Sequence, residues 1–375
     1  MRILYGVVGE GMGHATRSRV ILEHLVRRGH QIKVVVSGRA HRFLTERLAH
    51  HDSVSIEEIH GLSLTYVGNR VDKSESLKQN LKAAAKGMRK NLDVYRKVAE
   101  ASFEPELVIS DFESWAAFYA LNHFLPVISI DNMQVINRCK HPAEVIGKKS
   151  QSYRITKLAV KTKIPGAYHY LVSSFFFPKV RKKRTTLVPP ILRNEILQAK
   201  REPGSHVLVY QTASANEKLV PALQQLPYEF RLYGMGREAT EGNVSLRSFS
   251  ESGFVEDLRT ARAVITGGGY TLMSEAVHLG VPVHSVPVEQ QFEQELNARW
   301  LAHLGYGTWS PTLEVEKIQH FIENSATYAK ALESYPRQED NRMLFRLVDE
   351  LIERRARGES RPVRLDSPSM GAYDE

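Results

Sequence analysis

The sequence predicts an α/β protein built from two successive Rossmann-like domains with a cleft between them. The chain has 375 residues, more than one hydrophobic core usually serves, and 42% of them are hydrophobic. Apolar, strand-like runs alternate with helix-like stretches in both halves. A stretch rich in proline and charge at 188–204 interrupts this alternation. We therefore expect one domain at residues 1–195 and a second at 203–335.

The first domain opens with a strand, a glycine-rich loop and a helix. An apolar run at 3–8 predicts the strand, residues 20–25 have helical spacing, and a second strand follows at 32–36. Two further apolar runs, at 107–110 and 126–130, each end in an aspartate. Strands that alternate with helices in this way predict a parallel, doubly wound sheet.

The second half restarts the same alternation. It has four apolar runs that predict strands, at 206–210, 228–233, 263–266 and 281–286, and a helix from about Glu217. A last helix is expected at 338–357. The tail at 358–375, rich in Arg, Pro, Ser and Gly, is expected to be flexible.

Composition indicates a soluble, cytoplasmic protein. The single cysteine, Cys139, excludes an internal disulfide and a four-thiolate zinc site. The apolar run at the start is too short for a signal peptide or a membrane span. We therefore expect a cytoplasmic location. A peripheral position at the inner face of the cytoplasmic membrane is a further possibility that this location allows.

Positive charge is concentrated in the first half of the chain. Residues 1–200 contain 33 Lys+Arg against 17 Asp+Glu, whereas the remainder contains 18 against 25. Such an imbalance predicts an anionic partner, and a membrane surface or a phosphate-bearing acceptor fits it. Nucleic acid is not expected, because no zinc-finger, RNA-binding or basic-zipper signature is present. A solvated basic face without a partner stays an alternative.

The segment 267–298 has the features of a phosphate site. Three glycines follow a predicted strand and lead into a helix that begins near Thr271. Backbone N–H groups of such a loop can approach phosphate oxygens, and the helix N-terminus favours negative charge. Glu275 follows Thr271 by four residues, so the two can face one ligand, and a carboxylate can accept hydrogen bonds from a ribose diol.

This segment resembles the donor signature of UDP-glycosyltransferases of the GT-B fold, including the lipid-acceptor transferases of peptidoglycan precursor and galactolipid synthesis. The matching order is Gly-Gly-x-x-Thr-x-x-x-Glu-Ala, Gly-x-Pro and Glu-Gln-x-x-Asn-Ala. The resemblance implies that Gly268, Gly269 and Thr271 contact the diphosphate. It also implies that Glu275 contacts the ribose, and that Glu293 and Gln294 contact the transferred sugar. Glu293 stands where Asp is commoner, which leaves the identity of the sugar open.

Two other stretches are assigned to the donor by the same resemblance. Phe249 lies where the family holds the nucleobase, although phenylalanines there, including Phe254, also suit a core. The loop 211–216 resembles a second phosphate loop, to which Thr212 and Ser214 would bring hydroxyls.

The glycine loop at 9–14 ends in His14, where a GxGxxG dinucleotide fingerprint would require its third glycine. In the glycosyltransferases that it resembles, a histidine after such glycines is the general base in several members, and Gly13 is placed with the substrate-binding residues. Imidazole titrates near the working pH and can take a proton from a sugar hydroxyl.

A carboxylate that orients the far nitrogen would improve such a base, and Asp111 is the candidate, since strand ends of one parallel sheet meet at one edge. As alternatives, His14 could cap its helix or touch a phosphate, and Asp111 could be a helix N-cap. Glu10 and Glu113 are the reserve carboxylates.

No pattern of clustered acidic or histidine residues suggests a bound metal, and no cofactor is expected beyond a UDP-sugar as donor substrate. Helix N-termini and backbone donors would then balance the charge on the leaving diphosphate. The sequence thus predicts metal-independent transfer with inversion of configuration.

The acceptor is the least constrained part. Residues 74–98 predict a basic amphipathic helix, which could lie on an anionic membrane or, equally, turn its apolar stripe to the core. A lipid or lipid-linked acceptor is the leading hypothesis. A UDP-GlcNAc-type epimerase and a non-catalytic nucleotide-sugar-binding subunit stay open as alternatives, and an NADP oxidoreductase comes last because the third glycine is missing.

Overall fold

Two seven-stranded sheets, each flanked by helices, form the two halves of the protein. The computed structural model describes residues 1–9, 11–61, 65–67, 69–99, 103–147, 151–211 and 217–359. The predicted α/β fold class is confirmed, because both sheets are parallel or nearly so and helices connect their strands.

The first half contributes nine strands and eight helices within its described residues. The strands are β1 (Arg2–Val7), β2 (Gln31–Val36), β3 (Val54–Glu58), β4 (Tyr66–Val67), β5 (Arg70–Val71), β6 (Leu107–Asp111), β7 (Val127–Asp131), β8 (His169–Ser173) and β9 (Thr185–Val188). The helices are α1 (Met12–Arg27), α2 (Gly38–Leu48), α3 (Lys73–Ala99), α4 (Ser114–Asn122), α5 (Val135–Arg138), α6 (Ala143–Ile146), α7 (Gln151–Lys163) and α8 (Asn194–Leu197).

The second half contributes seven strands and seven helices within its described residues. The strands are β10 (Val207–Tyr210), β11 (Phe230–Tyr233), β12 (Ala239–Glu241), β13 (Val244–Arg247), β14 (Ala263–Thr266), β15 (Val283–Ser285) and β16 (Gly307–Trp309). The helices are α9 (Leu219–Leu223), α10 (Glu251–Thr260), α11 (Tyr270–Leu279), α12 (Phe292–His303), α13 (Val315–Glu323), α14 (Ser325–Leu332) and α15 (Arg342–Ala356).

The strand order of each sheet reverses near its centre. The first sheet runs β3-β2-β1-β6-β7-β8-β9 and the second runs β12-β13-β11-β10-β14-β15-β16, with only β12 antiparallel. All residues of the central strands β6 and β7 are buried, as expected for a parallel sheet covered by helices on both faces. In such sheets ligands bind beyond the carboxyl ends of the strands, where the order reverses. Those points lie between β1 and β6 and between β10 and β14.

The last helix of the described chain returns to the first half. Five apolar side chains of α15 share a buried cluster with β1 and α1; they are Leu344, Leu347, Val348, Leu351 and Ile352. His24 Nε2 lies 2.8 Å from Asp349 Oδ1, and the His24 ring stacks on Phe345 at 4.1 Å. The chain therefore crosses between its halves a second time, which ties the first half to the end of the second.

Helix α3 packs on the protein through one side, on which Ser76, Gly87, Val94 and Val98 are buried. An added Cβ at Gly87 would meet the His60 ring at 2.1 Å, so the helix passes very close to that loop. The apolar stripe faces outward instead, with Leu77, Leu81, Met88 and Leu92 between 52% and 66% exposed. The alternative in which the stripe turns to the core is therefore wrong for these four side chains, whereas Tyr95, further along α3, packs against the core.

A short hairpin of the first half touches the second. Strands β4 and β5 pair antiparallel, and the turn between them reaches the loop after β15. Asn69 Nδ2 donates to the carbonyl of Pro287 at 3.2 Å, and the Glu289 N–H donates to the carbonyl of Asn69 at 2.9 Å. The hairpin thus spans the two halves beside the segment 287–291.

We expect Leu347→Ala to lower the free energy of unfolding by about 2–5 kcal/mol, because it leaves a cavity where α15 meets the first half. Urea unfolding followed by circular dichroism measures the change. The neighbouring Arg346→Ala, at an exposed position of the same helix, should change it by no more than about 0.5 kcal/mol. Equal effects of the two variants would contradict this packing.

Candidate functional site

The N-termini of two helices, one from each half, meet beyond the sheet edges. Helix α1 follows β1 after Gly11, whose φ of 84° favours glycine, and α11 follows β14 after Gly269. A Cβ added at Gly13 would meet Thr271 Oγ1 at 2.5 Å, so the first turns of both helices are in direct contact. Both helix termini place their unpaired N–H groups and positive dipole ends in this region, which favours a bound anion such as a diphosphate.

His14 and Asp111 lie together at the reversal point of the first sheet. The ends of β1 and β6 are in register, with Val7 beside Asp111, and His14 lies in the first turn of the helix that follows β1. His14 Nδ1 lies 2.9 Å from Asp111 Oδ1. If Nδ1 carries the proton and donates it to this carboxylate, the lone pair of Nε2 is left to accept another proton.

Arg17, one turn further along α1, holds this carboxylate. Its Nε and Nη2 donate to the two oxygens of Asp111 at 2.8 and 2.5 Å, and Ser18 Oγ donates to one of them at 3.0 Å. Arg17 Nη2 also lies 2.6 Å from His14 Nδ1. Because a guanidinium only donates, this contact is a hydrogen bond in the tautomer with its proton on Nε2, whereas the tautomer with its proton on Nδ1 donates to Asp111. Asp111 is thus almost saturated with donors, and it acts on the imidazole chiefly by fixing its orientation.

The pKa shifts in this cluster follow from burial and from Arg17. Burial lowers the pKa of His14 below 6.5, and the charge of Arg17 lowers it further, while Asp111 opposes both. For Asp111, burial raises the pKa, but Arg17 and His14 outweigh burial and hold it well below its ordinary value. His14 is therefore neutral and Asp111 ionised at neutral pH, which are the states that a general base and its orienting carboxylate require.

A chain of hydrogen bonds runs from this cluster to Glu293 in the other half. Arg17 Nη1 donates to Asn132 Oδ1 at 2.5 Å, and Asn132 Nδ2 donates to Glu293 Oε1 at 2.9 Å. Asn297 Nδ2 donates to the same oxygen at 2.7 Å and to the carbonyl of Gly268 at 3.2 Å. Burial raises the pKa of Glu293, while its amide neighbours and Arg17 oppose the rise. Among the described residues both amides converge on Oε1, which leaves Oε2 of Glu293 for a further partner.

The glycine loop after β14 packs tightly against the start of α12. Gly268 has φ 86°, and a Cβ there would meet both the Gln294 carbonyl and Ser285 Oγ at 2.9 Å, so only glycine fits. At Gly269 an added Cβ would meet nothing within 4 Å, which places this glycine beside open space. The Gln294 side chain is held by the Val288 N–H and by Gln291 Oε1, at 3.0 and 2.6 Å.

Glu275 is buried and forms an ion pair with Arg193. It is 2% exposed, and Arg193 Nε and Nη2 donate to its two oxygens at 2.8 and 2.9 Å. Arg193 also contacts Glu251, which in turn pairs with Arg19 of α1 at 3.2 Å. In this arrangement Glu275 belongs to a network of charges between the halves, because a buried carboxylate needs a charged partner. Its role toward ribose stays a prediction.

Of the remaining predicted residues, some are described by the structure and some are not. Phe254 is buried in the core, whereas Phe249 is 58% exposed near the end of β13, which leaves its ring accessible to a nucleobase. Thr212 and Ser214, as well as Glu10 and the tail from 360 onward, lie outside the described residues.

The reserve carboxylate Glu113 has a structural role. It caps α4 by accepting from the Trp115 and Ala116 N–H groups at 3.0 and 2.7 Å. Glu113 is therefore the N-cap of α4, a role that the sequence had left open for Asp111. The Asp111 carboxylate instead accepts hydrogen bonds from side chains of α1.

Sequence reasoning missed Arg17, Asn132, Asn297 and Tyr270. Tyr270 is buried between the halves, where its hydroxyl lies 2.7 Å from Ser173 Oγ and its ring 5.7 Å from the Arg17 guanidinium. Two signals were present: Arg17 lies three residues after His14, on the same side of the helix, and Asn132 directly follows a buried strand. Within the described part of the chain, no group of three or more His, Cys, Asp or Glu residues is arranged to hold a metal ion.

Comparisons with known proteins agree on one class. A family model described as glycosyl transferase family 1 matches residues 1–325. An uncharacterized glycosyltransferase of Methanosarcina acetivorans is 26% identical, and the match covers 87% of this chain and 91% of that protein. One from Methanosarcina mazei is 24% identical, with 86% and 90% covered.

Solved structures share the fold at low sequence identity. The glycotransferase of kitacinnamycin has a TM-score of 0.64 at 18% identity, with 93% of this chain and 98% of that chain covered. The calicheamicin glycosyltransferase CalG4 has a TM-score of 0.63 at 19% identity, with 94% and 99% covered. A UDP-glucosyltransferase from Polygonum tinctorium has a TM-score of 0.63 at 12% identity, with 94% and 97% covered.

We expect the pKa of His14, followed by NMR as the shift of its ring protons, to lie below 6.5 in the intact protein. Arg17→Gln should raise it, because the variant removes a neighbouring positive charge and leaves Asp111 to interact with the imidazole alone. His14→Asn identifies the resonance by its disappearance. A pKa that stays the same or falls in Arg17→Gln would contradict the assigned electrostatics.

Proposed function

The chain belongs to glycosyl transferase family 1, and on that premise we propose that it moves a sugar from a UDP-sugar to a hydroxyl group of a lipid or lipid-linked acceptor. It is a glycosyltransferase, and its class uses a nucleotide-sugar donor and an acceptor. The family match and the relatives' names favour transfer over an epimerase or a non-catalytic subunit. The observation that carries the proposal is the hydrogen-bonded chain from His14 to Glu293.

The donor side of the proposal rests on the elements around Gly268. The diphosphate would lie between the N-termini of α1 and α11, where Gly13, Gly269 and Thr271 meet. Glu293, whose Oε1 is already held by two amides, would accept a sugar hydroxyl through Oε2. A UDP-sugar is proposed because the segment 267–298 resembles the UDP-glycosyltransferase signature.

His14 performs the proton transfer in this proposal. The acceptor hydroxyl attacks the anomeric carbon while its proton passes to Nε2 of His14, and the bond between that carbon and the diphosphate oxygen breaks. Attack from the side opposite the leaving UDP inverts the configuration. Backbone N–H groups of both helix termini offset the charge that develops on the diphosphate, so we propose a metal-independent reaction.

The acceptor side rests on α3 and the exposed apolar residues along it. Leu77, Leu81, Met88 and Leu92 face outward, and basic side chains lie beside them at positions 78, 82, 86 and 89. An exposed apolar stripe with a basic rim suits the interface of an anionic membrane. The described helices include none whose length and apolar content would let it span a bilayer. We therefore propose peripheral contact through α3, which would bring a lipid-borne acceptor to the enzyme.

We expect His14→Ala to lower kcat by about 10²-fold or more while leaving the Kd for UDP unchanged, because it removes the base and not the phosphate contacts. Release of UDP from common UDP-sugars, with and without membrane extract, measures turnover, and calorimetry measures UDP binding. His320→Ala, far along the second half on α13, is the matched control and should be fully active.

The pH dependence provides a second criterion. Since His14 must be neutral to act, kcat/KM should be constant above about pH 6.5 and fall as the pH decreases through the lowered pKa. Full turnover in His14→Ala, or sugar conversion without any acceptor, would overturn the proposed reaction.

We expect Leu81→Ser/Met88→Ser to reduce binding to anionic vesicles about tenfold, because two side chains leave the apolar stripe. Flotation with vesicles of phosphatidylcholine and phosphatidylglycerol measures binding, and phosphatidylcholine alone is the lipid control. Gln79→Ser, at an exposed position on the opposite side of the same helix, should bind as the wild type does. Vesicle binding that is the same with and without anionic lipid, and the same in the wild type and the variants, would contradict the proposed membrane contact.

A further inference from the structure

A basic cavity opens on the first half, on the outer side of α7. Its volume is about 530 Å³, and five cationic side chains line it together with Asn137; they are Arg154, Lys157, Lys161, Arg181 and Lys182. The first three are spaced by three and four residues on α7 and therefore share one face of that helix. The other two come from the segment before β9. Two separate parts of the chain thus direct positive charge into one concavity.

The polar partners of these cations are neutral. Lys182 Nζ donates to Asn137 Oδ1 at 2.5 Å, and Arg181 Nε and Nη2 donate to the Asn137 carbonyl at 3.2 and 2.9 Å. Lys157 Nζ donates to the Tyr153 hydroxyl at 3.1 Å. Among the described residues, no carboxylate forms an ion pair with any of the five. The positive charge of the cavity is therefore not compensated by the described protein around it.

Mutual repulsion in the cavity acts on Lys182. Burial lowers the pKa of this lysine, and the charges of Arg181, Arg138, Lys161 and Lys157 lower it further. Arg138, buried behind the cavity, also has neutral partners, namely Thr185 Oγ1 and the Lys183 carbonyl. Like charges that converge on a concavity destabilise the protein unless an anion binds there, whereas a merely solvated basic face would spread them apart.

The cavity lies next to the candidate site through Tyr153, and the helix α7 that lines it continues to a residue near His14. Tyr153, in its wall, packs against Phe292 at 5.2 Å between ring centres, and Phe292 directly precedes Glu293. At the end of α7, Lys163 Nζ lies 4.1 Å from the centre of the Phe112 ring, and its charge acts on His14. A wall residue of the cavity thus packs directly against the residue before Glu293, which places the cavity next to the candidate site.

From this arrangement we infer that the acceptor is itself phosphorylated, and that its phosphate or diphosphate group binds to Lys157, Lys161, Arg181 and Lys182. The inference rests on the proposed function, since it names a chemical feature of the acceptor for that reaction. Several cations around one cavity suit a group with more than one negative charge, and arginine pairs with phosphate oxygens in a bidentate manner.

A lipid can carry this phosphate, and so can a soluble molecule. Leu158 lines the cavity, and Ile155 and Leu158 of α7 are 57% and 61% exposed. These two side chains would contact an alkyl chain that leaves the cavity. The shared chemistry is a phosphate monoester or diphosphate, and the experiment separates the two sources.

The first arm measures binding of sodium pyrophosphate to the intact protein by calorimetry, at constant ionic strength and with saturating UDP. UDP occupies the proposed donor site, so that pyrophosphate reports on the cavity. We expect Lys157→Gln/Arg181→Gln to weaken pyrophosphate binding at least tenfold, because each lost cation removes a charged hydrogen bond. UDP affinity should not change.

Lys330→Gln/Arg346→Gln is the matched control, since it removes one lysine and one arginine at exposed positions of the second half and of α15. It should bind pyrophosphate as the wild type does. Equal pyrophosphate affinity in the cavity variant and the wild type, or no binding to the wild type, overturns the inference. If the protein does not bind UDP, that result counts against the proposed donor and not against the cavity. Pyrophosphate affinities of the cavity variant and the control variant, measured without UDP, then still test the cavity.

The second arm uses phosphatidylcholine vesicles that contain phosphatidic acid, a phosphate monoester, or phosphatidylglycerol, a diester. A preference for phosphatidic acid that the cavity variant loses identifies a lipid-borne phosphate. Pyrophosphate binding without such a preference identifies a soluble phosphorylated acceptor. Either result identifies the source of a phosphate that the first arm has shown to bind, whereas equal pyrophosphate affinity in the first arm overturns the inference whatever the vesicles show.

Discussion

The ion pair between Arg17 and Asp111 is the interaction on which the rest of the site depends. It binds both carboxylate oxygens of a strand end to the first helix of the chain, and both side chains are almost fully buried. Breaking a buried pair of this kind by removing one partner costs about 3–5 kcal/mol. Because the remaining guanidinium nitrogen binds Asn132, the same residue that positions His14 also connects this histidine to Glu293.

Charged contacts between the two halves set the geometry of the cleft. Arg193, in the linking segment, binds Glu275 and Glu251, and Glu251 also binds Arg19 of α1. Tyr270 adds a hydroxyl contact to Ser173. These groups lie around the meeting point of the two helix N-termini, so the halves cannot separate without exposing or unpairing charges. The described contacts thus hold the two halves in one relative arrangement.

Much of the fold could be predicted from the sequence because apolar runs of a parallel sheet are continuous. The strands at β1, β2, β6, β7 and β14 were predicted within a residue or two, and the α/β class and the glycosyltransferase resemblance are confirmed. Short strands at the edge, such as β3 and β9, were missed because they are only partly buried. The return of α15 to the first half involves contacts between residues more than 300 positions apart, which no local pattern reports.

The sequence by itself determined the glycine loops, the candidate pair of His14 and Asp111, and the glutamate of the donor segment, because each depends on residue type at a strand end. Only the tertiary structure decided which side chains surround them. It showed that Arg17 saturates Asp111, that Arg193 holds Glu275, that the stripe of α3 faces outward, and that the basic residues of α7 and the segment before β9 share one cavity. These are contacts between distant segments, fixed by how the sheets and helices pack, and the periodicity of a single element does not contain them.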